Sequence, residues 1–153
     1  MPKATTKPVV KFGALEKSID SSLETLKNMY DGGSAAVSVR SKEKQKLLSD
    51  SKRLSKKKNT LLKKKRTAAT KLKKAPGVET RKALSLIEKE LITVSKSLAK
   101  TNLEKTKVAE ELAGLKLNVK RVTAYLKGVA IADKALSKAN KTKAKSTTPS
   151  MAA

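Results

Sequence analysis

Lys52-Arg53, Lys56-Lys57-Lys58 and Lys63-Lys64-Lys65-Arg66, followed by Lys71, Lys73 and Lys74, form the densest run of like charge in the chain. Between residues 42 and 74 there are 15 Lys and Arg against only Glu43 and Asp50, a net of +13. An ammonium group is a strongly hydrated point charge that suits a phosphate oxygen, whereas the guanidinium fork reads a guanine edge through two parallel hydrogen bonds. Lysine dominates here, and Arg40, Arg53, Arg66, Arg81 and Arg121 are the only arginines. The chemistry on offer is therefore contact with a phosphate backbone rather than recognition of base sequence. Consecutive residues on a helix are turned by about 100° from one another, so triplets of lysine make such an arm cationic on nearly every face that no partner helix covers.

Other chemistries find little support. The chain has no histidine and no cysteine, so thiolate catalysis, disulfides and sites rich in His or Cys ligands for a metal are excluded. The 13 acidic residues are scattered, with no pairing suited to general acid–base work. Gly32-Gly33 is not followed by the Gly-Lys-Ser/Thr of a phosphate loop. Phe12, Tyr30 and Tyr125 stand far apart, which removes the stacking platforms that bind single-stranded bases. No enzyme, cofactor, metal or small-molecule substrate is expected. Lys3, Lys7 and Lys11 lead into no long apolar run, and no 18-residue apolar stretch exists, so neither a secretory signal nor a membrane span is expected.

The charge must ride on helices. Ala, Leu, Val and Ile make up most of the apolar mass, which fills a narrow seam between helices better than a wide core. Residues 1–13 mix Pro, Lys and Thr and read as a flexible basic arm. Leu15, Ile19, Leu23, Leu26 and Tyr30 then form one stripe of a short amphipathic helix over 14–31. Asp31-Gly32-Gly33 is expected to end it, with Ser34 capping the next helix. Ala75-Pro76-Gly77 is the clearest break in the chain, since proline disfavours helical geometry in the residue before it.

After that break comes the strongest pattern. Positions a and d of a heptad counted from Leu84 run Leu84, Ile87, Leu91, Val94, Leu98, Thr101, Lys105, Val108, Leu112, Leu115, Val119, Val122, Leu126, Val129, Asp133 and Leu136. Thirteen of these sixteen are apolar, and a 3.5-residue period sustained so long specifies a coiled-coil seam. Leu47, Leu54, Leu61 and Ala68 recur every seventh residue before the break. The expectation is an all-α fold: a long antiparallel coiled-coil hairpin over 34–138 with its turn at 75–78, preceded by the short helix. Facing residues would have numbers that add to about 153, with Asp50 beside Lys105 as a polar pair fixing the register. Residues 119–136 need a further partner, either the 14–31 helix or a second chain, so a homo-oligomer through the 84–136 seam stays open. Residues 139–153, poor in apolar side chains, read as a disordered basic tail.

Over residues 45–139 the chain resembles the bacterial alginate-regulatory, histone H1-like proteins. The likeness lies in the Leu47-Leu48 start, the Lys-rich helix with Leu61-Leu62, and the Ala75-Pro76-Gly77 break. It continues through Gly114-Leu115-Lys116-Leu117-Asn118-Val119-Lys120 and Lys134-Ala135-Leu136-Ser137-Lys138-Ala139. That resemblance implies a cytoplasmic, nucleoid-associated DNA-binding regulator. The family's long Lys-Ala-Ala-Lys-Pro repeat tail does not occur in these 153 residues.

A net charge of +24 repels itself, and a bound polyanion relieves that repulsion. The expected partner is the phosphate backbone of DNA or RNA, met by Lys52, Arg53, Lys56, Lys57, Lys58, Lys63, Lys64, Lys65, Arg66, Lys71, Lys73 and Lys74. The alternative is a coiled-coil scaffold acting through protein–protein contacts. A membrane surface fits less well, because the basic arm has a thin apolar stripe and no aromatic residue to enter lipid.

Overall fold

The computed structural model describes residues 12–146. They form two helices, α1 (Phe12–Lys74) and α2 (Val78–Ser146), with no strand among the described residues. The fold is an all-α antiparallel hairpin. Its turn is built from the residues that break the pattern in the sequence. The amide of Ala75 makes the last bond of α1, to the carbonyl of Lys71 at 2.8 Å, and Pro76 has no amide to continue. Gly77 caps α2: its carbonyl accepts from the amide of Arg81 at 3.1 Å, while its own amide donates to Thr80 Oγ1 at 3.1 Å. That is the reciprocal half of a capping box, with threonine in the place usually held by Glu or Gln. Lys71, Lys73 and Lys74 in the last turn of α1 and Glu79 in the first turn of α2 complement the helix dipoles.

Three of the expected boundaries are corrected. No separate 14–31 helix exists, because α1 runs unbroken through Asp31, Gly32 and Gly33. A glycine ends a helix by taking a left-handed conformation, and no described residue has a positive φ. Gly33 serves close packing instead: a Cβ added there would lie 2.8 Å from Val119 Cγ2. The second correction concerns the tail, since α2 extends through residues 139–146. Alanine and lysine there are good helix formers, and Thr142 Oγ1 donates to the carbonyl of Ala139 at 2.8 Å. Of the arm expected over 1–13, Phe12 and Gly13 already belong to α1, while residues 1–11, like residues 147–153 of the expected tail, lie outside the described residues.

Both helices contribute to each of two packed units. In the unit Val37–Gly114, antiparallel pairing follows from contacts that step forward on α1 and back on α2. Arg40 meets Glu111 at 2.8 Å, Ser51 meets Asn102 at 2.8 Å, Lys57 meets Glu90 at 3.0 Å and Lys65 meets Glu88 at 3.2 Å. Arg40 also donates to Glu43 at 2.6 Å, and that hydrogen bond, reinforced by the charge of Glu111, raises the guanidinium pKa further above its ordinary value. Leu61, Val94, Val108 and Leu112 are buried, and no large side chain of the described residues is completely enclosed, as a seam one residue wide requires.

The polar pair expected in the seam is a different one. Asp50 lies 3.7 Å from Arg53 on its own helix, and the layer instead joins the buried Ser51 hydroxyl to Asn102 Oδ1. Serine and asparagine achieve this without desolvating a charge, which a buried Asp–Lys pair would have to do.

In the other unit, residues 12–36 of α1 pack with residues 115–146 of α2. Leu23, Leu26 and Gly33 are partly covered, as are Leu115, Val119, Val122, Leu126 and Val129. Of the stretch 119–136 that sequence alone left without a defined partner, the seam positions up to Val129 are thus partly covered from within the chain. Asp133 and Leu136, the last two seam positions, are exposed.

The two adjacent glycines should respond oppositely to the same substitution. A Cβ at Gly32 meets nothing within 4 Å, so Gly32→Ala should stabilise by about 0.5–1 kcal/mol through helix propensity alone. Gly33→Ala gains the same propensity but presses on a stiff valine, and overpacking of about 1–3 kcal/mol should leave it below wild type. Thermal melts followed by circular dichroism would read both, and a gain at Gly33 would show that the helices are not closely apposed there.

Candidate nucleic-acid interface

Each cation of the basic arm takes its role from its angle to the seam. On α1 the partly or fully covered line is Leu47, Ser51, Leu54, Lys58, Leu61, Lys65, Ala68 and Leu72, spaced alternately by four and three. The opposite line is Lys42, Lys46, Arg53, Lys56, Lys63 and Lys74, with Ser49, Thr60, Thr67 and Thr70 between them, and every member is exposed. No acid stands on this outer line. The hydroxyls of Thr60, Thr67 and Thr70 donate back to the carbonyls of Lys56, Lys63 and Arg66 at 3.0, 3.1 and 2.9 Å. Their only protons are thus engaged, and apart from the hydroxyl of Ser49 the outward-facing donors of the line are cationic.

The twelve cations singled out from sequence divide accordingly. Lys52, Lys56, Lys63, Lys64, Arg66, Lys71, Lys73 and Lys74 are exposed and have no acid within 4.0 Å among the described residues. Arg53 is exposed beside Asp50, and Lys57 is half-exposed in its pair with Glu90. Lys58 and Lys65 lie on the seam itself. Both are partly covered there, and Lys65 ends at Glu88. The arm is thus less uniformly cationic than its composition implies. Lys42 and Lys46, outside the sequence-derived set, join the exposed line. Counting in steps of three and four from Lys56 would have found them.

A second feature lies in the 12–36/115–146 unit. Gly32, where an added Cβ would meet nothing within 4 Å, opens a gap with Gly33, Leu115, Val119 and Val122 along it and the exposed Met29 and Tyr125 beside it, and the resulting apolar groove measures about 460 Å³. Sequence reading missed it because glycine suggested a helix end rather than a missing side chain.

Among the described residues no group of three or more acids could hold a metal ion, and no helix is long and apolar enough to cross a membrane. Comparison with protein-family models, with curated proteins and with solved structures gives no match.

Two lysines only two residues apart test the division. Lys58→Leu places an apolar side chain in the seam and should stabilise by about 1 kcal/mol, since a polar residue at a seam position costs stability. Lys56→Leu, on the outer line, should stay within about 0.5 kcal/mol of wild type. Denaturant unfolding measures both, and equal effects would mean that the seam runs elsewhere.

Proposed function

We propose that this chain is a non-enzymatic, largely sequence-independent nucleic-acid-binding protein that grips the phosphate backbone of DNA, or of RNA, along α1. The observation that carries this reading is the acid-free, exposed line from Lys42 to Lys74, on the side of α1 turned away from the covered seam. Solvated helix faces ordinarily mix signs at four-residue spacing, and here they do not. Glu88 and Glu90 answer only Lys65 and Lys57, so most of the net +13 on residues 42–74 has no counterpart within the fold. Lysine in place of arginine favours backbone contact over base reading.

The likeness to histone H1-like regulators supports the same reading and suggests a nucleoid-associated protein of the bacterial cytoplasm, with any effect on transcription following from its occupancy of DNA. A second reading is favoured by the apolar groove at Met29, Gly32 and Tyr125: a scaffold that docks another protein. In that case the charge serves solubility alone.

A gel-shift salt titration with two unrelated duplexes and one RNA separates the readings. If six to ten phosphates are neutralised, affinity should fall by about 10³–10⁵ between 50 and 200 mM salt, with little difference between the duplexes. Replacing Lys56–Lys58 and Lys63–Lys65 by Gln should abolish binding and leave helicity intact. Absence of binding in dilute buffer would end this reading in favour of the scaffold, and a strong preference for one duplex would end its sequence-independent form.

A further inference from the structure

Near the turn, within the unit Val37–Gly114, lies a shallow cleft of about 410 Å³ between α1 and α2. Lys63, Lys64 and Lys71 stand around it, and Ala68, Ala83 and Ile87 form its apolar floor. Lys65, next to Lys64 in the chain, is met by Glu88 at 3.2 Å, so the charge of the cleft follows from which lysines face no acid across the seam. Lys57 is met across the seam by Glu90 at 3.0 Å. One heptad further along α1 comes Lys64, and one heptad back along α2 comes Ala83, which is uncharged and too short to reach it. The next heptad on α1 brings Lys71, where α2 has already given way to the turn. Alanine at both 68 and 83 also leaves the space that a larger pair would fill.

Three ammonium groups of α1, with no acid within 4.0 Å among the described residues, thus line one side of a hollow with an apolar floor. A concave, one-signed wall of this kind concentrates the field and attracts counter-charge more strongly than the same charges spread along a convex rod. Lys63 belongs both to this cleft and to the exposed line on α1.

We infer that the cleft between Lys63, Lys64 and Lys71 is the dominant phosphate seat of the protein, taking consecutive phosphodiester groups of the bound strand. This rests on the nucleic-acid reading above and adds position to it: binding depends on where the lysines stand and not on their number alone. Lys64 and Lys71 are both exposed and stand one heptad apart on α1, a spacing that the helix fixes, so they close on a phosphate with little rearrangement of the backbone.

Two triple variants of the full chain remove the same charge. Lys63, Lys64 and Lys71 are replaced by Gln in one, and Lys42, Lys46 and Lys56 in the other. Affinity is measured at one salt concentration for a duplex, for single-stranded RNA and for inorganic polyphosphate, with circular dichroism confirming that both variants are helical. The cleft variant should lose about tenfold more affinity than the line variant for all three probes, one well-placed charged hydrogen bond being worth that much. A second comparison leaves every lysine in place: Ala83→Glu supplies the missing acid opposite Lys64, and Ala99→Glu makes the same charge change on an exposed part of α2. Ala83→Glu should weaken binding more. Equal losses within either comparison would overturn the seat and leave a charge-only binder. A cleft variant weakened towards nucleic acids but not towards polyphosphate would overturn its assignment to phosphate. Failure of the wild-type chain to bind any probe would instead sink the nucleic-acid reading itself.

Discussion

Burial of aliphatic side chains between α1 and α2 has to offset two costs at once: the ordering of a long chain, and the mutual repulsion of 24 excess positive charges. A wide core cannot form from two helices, so burial is confined to one line on each, with Leu61, Val94, Val108 and Leu112 as its driest points. A seam so thin works only if its side chains meet in register at every turn. The 3.5-residue period of α2 secures this, because it keeps the same face towards α1 where an unmodified helix would drift by about 20° per heptad.

The polar members of the seam sharpen that register at some cost in burial. Ser51 and Asn102 form a hydrogen-bonded layer that a one-heptad slip would break, leaving a buried hydroxyl unpartnered. Lys57 with Glu90 and Lys65 with Glu88 act more weakly, since half-exposed ion pairs contribute about 0–1 kcal/mol each, yet they select the same alignment. Lys58 has no such partner among the described residues. It sits between Leu54 and Leu61 on the covered line, where an aliphatic residue would pack better. Natural hairpins that choose among neighbouring registers use such residues to penalise the wrong ones.

Much of this was legible in the residues. The turn was visible because Pro76 removes an amide and Gly77 follows it. Fourteen of the sixteen seam positions on α2 are covered, and the two that fail, Asp133 and Leu136, stand together at one end. What escaped was whatever depended on the partner across the seam. Gly32-Gly33 looks like a helix end until Val119 stands within reach of it. Asp50 and Lys105 look complementary by number, but Asp50 finds Arg53 on its own helix first. The same limit applied to the basic arm: sequence showed how many cations it carries, while the division into seam, ion pair and exposed line needed the rotational setting of α1 against α2.

That rotational setting is also what links the fold to its chemistry. A lysine on a free helix samples every direction, and a run of them presents a diffuse cationic cloud. Once Leu54, Leu61 and Ala68 are held against α2, the residues half a turn away have a fixed outward direction, so Lys56 and Lys63 are displayed and Lys58 and Lys65 are withheld. The seam therefore does for charge what a scaffold does for catalytic groups, setting directions before the ligand arrives and sparing the ordering entropy that a disordered basic tail would lose on binding. The length of the exposed line then follows from the length of the seam, and interrupting the seam within the basic arm would disperse the displayed charge without removing a single lysine.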